Sequence, residues 1–189
     1  IHSTYGFRHY GYASQAQSRD GLSPHLYADA GFADDLKTSK STSGAYLALM
    51  TKAELSSDDS LDTHFPLAGQ SQSQKIQSHS TPEAELVAMD MAVRRHGIPS
   101  LWIWETVLQQ KLVLHCHEDN SAMIQVCKTG RNPTMKYLSR THGVSVGLLM
   151  EIFKRDDCEL IKEGTDTMCA DIFTKGFSEK VKWLHACSL

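Results

Sequence analysis

The chain has 189 residues, 41% of them hydrophobic and 22% charged, with a formal net charge of −3. This is an ordinary globular composition, and the length suits one domain with an extra arm. No apolar run approaches the roughly 20 residues that span a bilayer, and no signal peptide is visible, so no membrane partner is expected. The net charge offers no whole-molecule attraction for nucleic acid, so any such grip must be local.

Five cysteines, Cys116, Cys127, Cys158, Cys169 and Cys187, are spread widely without a C-x-x-C spacing. That pattern points to free thiols in a reducing compartment rather than a disulfide framework or a zinc site. The chain begins at Ile1 rather than Met, which reads as a piece cut from something longer.

Residues 1–23, rich in Gly, Ser, Tyr and Gln, read as an arm or linker with one short strand at Tyr5–Tyr10. A domain over 24–189 follows. A short strand is predicted at His25–Asp29, a polar turn over Ala33–Ser43, and a buried strand over Gly44–Met50. Thr51–Thr63, with its Ser-Ser-Asp-Asp-Ser run, is a surface loop, and Phe65–Lys75 holds a weaker third strand.

A helix starts near Ser80–Pro82, with Ser80 or Thr81 as its cap, and runs to His96, where Gly97-Ile98-Pro99 stops it. A second helix covers Ser100–Gln110, and Lys111–His117 is the clearest strand. Helices over Ser121–Lys128, ending at Gly130, and Thr141–Lys154 come next, then a strand at Cys158–Lys162. The last helices are Thr167–Lys175, closed by Gly176 in the left-handed position, and Ser178–Ala186. Clustered strands followed by alternating helices and strands imply an α/β fold, a mixed sheet covered by helices.

Four carboxylates stand out by context. On the helix over 81–96, Ala88, Met89 and Ala92 lie three, four and seven residues beyond Glu85, so Glu85 follows a core-facing stripe. Glu83, about 200° away by the helix period, is expected to face solvent. Asp119 follows a strand and precedes a helix, a place where Asp also serves as a cap; Glu118 is its competitor. Asp29 ends a strand, where a turn-forming Asp is equally at home. Asp171 lies at the edge of its stripe, balanced between a site residue and a surface partner of Lys175. Carboxylates turned toward a core need neutralising. Hard divalent cations take oxygen ligands, and two of them can run a displacement at phosphorus. Phosphodiester hydrolysis is the chemistry this set suggests.

Five blocks carry a resemblance: Tyr27-Ala-Asp-Ala, Lys40-Ser-Thr-Ser-Gly-Ala-Tyr46, Ser78-His-Ser-Thr-Pro-Glu-Ala-Glu85, Glu118-Asp-Asn-Ser-Ala122 and Ala170-Asp-Ile-Phe-Thr-Lys175. In this order they resemble the ribonuclease H domain of copia-type LTR retrotransposon polyproteins, over about residues 5–186. Arg131-Asn-Pro-Thr-Met and Ser139-Arg-Thr-His-Gly also look like that family. The resemblance implies a ribonuclease H-like fold: a five-stranded mixed sheet, its first three strands antiparallel, flanked by helices. It also carries over an acidic tetrad of Asp29, Glu85, Asp119 and Asp171.

The implied activity is hydrolysis of the RNA strand of RNA–DNA hybrids during reverse transcription, leaving 5′-phosphate ends. One Mg²⁺ would be held by Asp29 with Asp171, and a second by Asp29, Glu85 and Asp119, with Mn²⁺ a possible substitute. Glu85 would also contact a ribose 2′-OH. The implied partners are the hybrid and the reverse transcriptase domain of the same polyprotein, in a cytoplasmic virus-like particle or the nucleus of a eukaryotic host. Three departures stand out. Gly31 replaces a second Asp, Phe32 stands where Trp is common, and the loop Glu163-Gly-Thr-Asp-Thr lacks the mobile His of many cellular ribonucleases H. His142 lies too early in the chain to be equated with that His.

Between Asn120 and Met150 there is no Asp or Glu, while Lys128, Arg131, Lys136 and Arg140 fall in the same stretch. This local basic segment suits phosphate contacts, with Ser43 and Asn120 as weaker candidates for backbone contacts. His115 and His117 are expected to serve packing rather than metal binding, and Trp102 and Trp104 to pack in the core. Two alternatives remain. One is a decayed or domesticated copy that binds hybrid without cutting it. The other is an integrase-type nuclease, which would lack the Lys40–Tyr46 and Ala170–Lys175 blocks.

Overall fold

A computed structural model describes residues 8, 10, 11, 21–51 and 63–189. The predicted Tyr5–Tyr10 strand and most of the 1–23 arm and the 51–63 loop lie outside the described residues. Three long strands come first: β1 (Leu22–Gly31), β2 (Thr42–Thr51) and β3 (His64–Ser73). They pair antiparallel, β1 with β2 and β2 with β3. β4 (Leu114–Glu118) and β5 (Cys158–Lys162) then add in parallel, giving the sheet order β3-β2-β1-β4-β5. This mixed five-stranded sheet with its helices has the ribonuclease H-like topology. β1 extends beyond the predicted His25–Asp29 at both ends, because its pairing with β2 continues from Leu22 to Gly31.

Strand alternation divides the sheet into two faces. Leu26 and Ala28 of β1, with Ala45 and Leu47 of β2, pack into the main core with Leu86 and Met89 of α1 (Thr81–Ala92). Tyr27, Tyr46 and Ala48 face the other way, against Met168 and Ala170. Near the carboxyl end of β1 its contact with α1 is made by small side chains, Ala30 against Ala84 and Ala88. Small residues at a contact let a helix come close to its neighbour, and this brings Glu85 to the end of the sheet.

Ser80, not Thr81, caps α1: its side chain accepts a hydrogen bond from the Glu83 N–H at 3.3 Å. The expected stop at Gly97-Ile98-Pro99 is absent. A wider π-helical turn, Val93–Gly97, carries the chain into α2 (Ile98–Leu108). Pro99 has no N–H to give an ordinary helical turn, and a π turn is one way a helix absorbs such a misfit. The helix predicted over Thr141–Lys154 is two short ones, α4 (Leu138–Thr141) and α5 (Val146–Ile152), separated where Gly143 takes φ +70°. α3 (Ser121–Thr129) ends at Gly130 with φ +67°, as its sequence suggests.

The predicted helix Thr167–Lys175 is not α-helical. Two 3₁₀ turns, Thr165–Thr167 and Cys169–Phe173, take its place, and Gly176 is not among the described glycines with positive φ. Packing overrides helix propensity here: Met168 and Ala170 are fully buried against the sheet, and Phe173 stacks on Tyr46 with ring centroids 6.4 Å apart. The final helix, α6, covers Lys180–Ser188. Trp104 is partly buried against the core, but Trp102 is 70% exposed, so the expectation of core packing fails for that residue.

Gly44 lets the C-terminal segment reach the sheet. A Cβ there would lie 2.5 Å from Thr174 Cγ2 and 3.0 Å from the Ala170 carbonyl oxygen. Gly44→Ala therefore overpacks this seam. It is expected to cost about 1–3 kcal/mol, read as a lower urea midpoint, and an unchanged midpoint would refute the tight seam.

Candidate functional site

The parallel pairing of β1 and β4 aligns His25 with His115 and Tyr27 with His117. Asp29 lies two residues beyond the last pair on β1, and Asp119 two residues beyond it on the other chain segment, just past the end of β4. Asp29 is 3% exposed and its Oδ2 accepts a hydrogen bond from the Thr174 hydroxyl. Asp119 does not cap α3. Asn120 does, accepting from the N–H groups of Ala122 and Met123 at 3.0 Å each. Asp119 is thus left for the site, where it accepts from Thr165 Oγ1 at 3.0 Å.

Glu85 enters from α1. It is 3% exposed, and its Oε2 is buried with no hydrogen-bond partner. Ligand oxygens of Asp29, Glu85 and Asp119 all lie within 4.8 Å of one another. Asp171 is outside that group of three. It forms an ion pair with Lys175, Nζ to Oδ1 2.6 Å, and the same ammonium is 4.0 Å from Asp29 Oδ1. An all-oxygen donor set with an unpartnered buried carboxylate oxygen fits a hard divalent cation. Asp29, Glu85 and Asp119 are the residues that would hold it, with Asp171 alongside.

Glu118 is fully buried beside this group. Its backbone belongs to β4, where it pairs with Lys162. One carboxylate oxygen accepts from the Asn120 N–H at 2.9 Å, and the other has no partner. Glu83, expected in solvent, is buried instead. Its carboxylate accepts from the His79 N–H at 3.2 Å and pairs with His142 at 3.2 Å. The first turn of α1 thus packs against the segment after α4, which buries the face that helix geometry alone would leave wet.

Burial dominates the electrostatics. It pushes the Glu85 carboxyl up to about 10, with the Glu118, Asp29 and Asp119 carboxylates adding to the effect. Burial likewise raises Glu118 to about 8 against the opposing Asn120 hydrogen bond, with Asp119 and Asp29 contributing. Asp29 is raised by burial, opposed by the Thr174 hydroxyl and the Lys175 ammonium. Asp171 is raised by burial too, with Lys175 opposing. Burial works against the charge on Lys175, but Asp171, Asp29 and Asp119 outweigh it and hold its pKa above the ordinary lysine range. One ammonium stands against several carboxylates here, and burial pushes the most buried of them toward the protonated form.

The departure at Gly31 has a structural reason. A Cβ there would lie 2.8 Å from the Thr174 carbonyl oxygen and 2.6 Å from Asp34 Oδ2. Lys128, Arg131, Lys136 and Arg140 are all exposed. Among the described residues none of the four has a carboxylate within ion-pair distance. Ser43 is 2% exposed and its hydroxyl accepts from Gln74 Nε2 at 3.0 Å, so it presents no free hydroxyl at the surface. The Asn120 side-chain oxygen is committed to its cap.

His115 and His117 pack within a ring stack: His25 to His115 at 4.7 Å, and Tyr27 to His117 at 4.1 Å between centroids. His117 Nδ1 contacts Glu163 at 2.7 Å. Sequence reasoning missed Thr174, weighed Glu118 only as a competitor of Asp119, and saw Lys175 only as a surface partner. The signal for Thr174 and Lys175 was present in the Ala170–Lys175 block. All five cysteines are free thiols.

No family model matches the chain, and no curated protein matches it. Among solved structures it is similar to LC11-RNase H1, isolated from compost by a metagenomic approach. The identity is 12% and the TM-score 0.47, with 80% of this chain and 92% of that chain covered. The fold assignment rests on strand order and register.

A carboxyl with a raised folded-state pKa keeps its proton in the folded chain over a pH range where the unfolded chain has lost it. Stability therefore falls as pH rises through that range. The range runs from the ordinary 4.5 to about 8 for Glu118 and on to about 10 for Glu85. In chelator, urea unfolding is expected to show stability declining from pH 5 to pH 8, by up to about 1.4 kcal/mol per pH unit per proton. Glu85→Gln should flatten the decline, and Mg²⁺ should reverse it in the parent chain at pH 8. A flat parent profile would refute this electrostatic account.

Proposed function

We propose that this chain is a metal-dependent endonuclease that hydrolyses the RNA strand of RNA–DNA hybrids, as the ribonuclease H part of a copia-type retrotransposon polyprotein. The reverse transcriptase domain of that polyprotein would supply the hybrid. The observation that carries the reading is the meeting of Asp29, Glu85 and Asp119 oxygens within 4.8 Å at the carboxyl ends of two parallel strands. The Glu85 oxygen left without a partner in a buried place adds to it, because an unpartnered carboxylate there is costly until a cation compensates it.

Two bound Mg²⁺ ions, or Mn²⁺ in their place, would supply a hydroxide nucleophile and neutralise charge on the leaving 3′-oxygen. Asp29 and Asp171 are assigned to one ion, and Asp29, Glu85 and Asp119 to the other. Thr174 fixes the orientation of Asp29 through its hydroxyl, and Thr165 does the same for Asp119. Glu85 is also assigned to contact a ribose 2′-OH, the group that distinguishes RNA from DNA. The exposed Lys128, Arg131, Lys136 and Arg140 contact phosphates outside the cluster and read no base sequence.

Two experiments test this reading. An end-labelled RNA–DNA hybrid is expected to be cut in its RNA strand only with Mg²⁺ or Mn²⁺. Asp119→Asn should slow cutting by at least about 100-fold, the scale on which a group stabilising transition-state charge acts. Binding without cutting by the parent chain would make it a hybrid-binding module instead. Lys136→Ala should weaken hybrid binding and reduce the slope of log affinity against log salt by about 1. An unchanged slope would remove Lys136 from the phosphate contacts.

A further inference from the structure

Lys175 is the one cation paired with these carboxylates among the described residues. Its ammonium is 2.6 Å from Asp171 Oδ1 and 4.0 Å from Asp29 Oδ1. The backbone N–H of Lys175 donates to the Asp171 carbonyl at 2.9 Å, closing the turn that carries both side chains. Thr174, between them, binds Asp29 from the same turn. One short segment thus delivers a carboxylate, a hydroxyl and an ammonium to Asp29 together.

Among the described residues the ammonium is within ion-pair distance of Asp171 and Asp29 alone, and it acts on Glu85 and Asp119 from farther off. Glu85, whose partnerless oxygen is the buried group in need of a cation, has no ion pair with Lys175. The group of three that could hold an ion, Asp29, Glu85 and Asp119, leaves Asp171 out. The cluster therefore divides into a half open to a cation and a half already held by a tethered one. Lys175 is also 40% exposed, with room to turn outward without unpacking the core. A flexible four-carbon stem carrying a compact charge suits that movement.

We propose that Lys175 is a built-in counter-cation of the Asp29–Asp171 half and competes with a divalent ion there. The free protein then binds one divalent ion, at Asp29, Glu85 and Asp119. A second ion joins at Asp29 and Asp171 only when Lys175 swings out, drawn by a substrate phosphate. This rests on the reading of the carboxylates as metal ligands. It adds that the second position is gated by the chain itself, since two cations sharing one pair of carboxylates repel each other.

Mn²⁺ titration of the full chain, followed by the electron paramagnetic resonance signal of free Mn²⁺, tests this without activity. The parent chain is expected to bind one ion, and Lys175→Met two, the second at least tenfold tighter than any second binding in the parent. Lys175→Gln should behave as Lys175→Met does, and it serves if the methionine variant does not fold. Adding Asp171→Asn to either variant should return the count to one, and Glu85→Gln in the parent should weaken the first ion. Equal counts and affinities in the parent and both Lys175 variants would overturn the gating role while leaving the carboxylate site standing. No Mn²⁺ binding by any of these proteins would overturn the gating role and the metal-ligand reading together.

Discussion

Carboxylates brought together at the end of a buried sheet repel one another and lose their hydration. This repulsion is the constraint around which the rest of the site is arranged. Asp29, Glu85 and Glu118 are each at most 3% exposed, and one oxygen each of Glu85 and Glu118 has no partner. Ordinary folding selects against such an arrangement, because an isolated buried charge costs several kcal/mol even after relaxation. The chain tolerates it by three means. Lys175 supplies one positive charge, Thr174, Thr165 and Asn120 donate hydrogen bonds, and burial shifts the most buried carboxyls toward holding a proton. Each of these is a partial remedy, and an unpartnered oxygen still remains on Glu85 and on Glu118.

The scaffold that imposes this convergence depends on small residues. Ala30, Ala84 and Ala88 let α1 lie close on β1, which carries Glu85 to the strand end. Gly44 opens the other face for the segment bearing Asp171, Thr174 and Lys175. Gly31 leaves space for the Thr174 carbonyl directly beyond Asp29. The two faces of the sheet thus contribute to one site at the carboxyl ends of its inner strands, Glu85 from one side and the 3₁₀ segment from the other. Parallel pairing of β1 with β4 adds Asp119.

Much of this was legible in the residues, and the exceptions share a cause. A mixed sheet covered by helices followed from the cluster of early strands and the later alternation, and the antiparallel pairing of the first three strands came with the family resemblance. The inward face of Glu85 followed from the positions of Ala88, Met89 and Ala92. Local periodicity failed where tertiary packing overrode it. Glu83 points to solvent by helix geometry, yet His142, 59 residues later in the chain, covers it. The segment 167–175 has helical residues, yet its burial against Tyr46 holds it in 3₁₀ turns. The π turn before α2 runs into a Gly-Ile-Pro that ordinarily ends a helix, yet the chain continues through it as α2. The competition between Asp119 and Glu118 was likewise settled by strand parity: Asp119 continues the register of Tyr27 and His117, while Glu118 turns to the core.

The most direct test of the central claim, that these carboxylates form a cation site, is a crystal of the chain soaked in Mn²⁺ and measured for anomalous scattering. The account predicts a manganese peak bounded by oxygens of Asp29, Glu85 and Asp119. Ordered carboxylates at those positions with no manganese between them would contradict it.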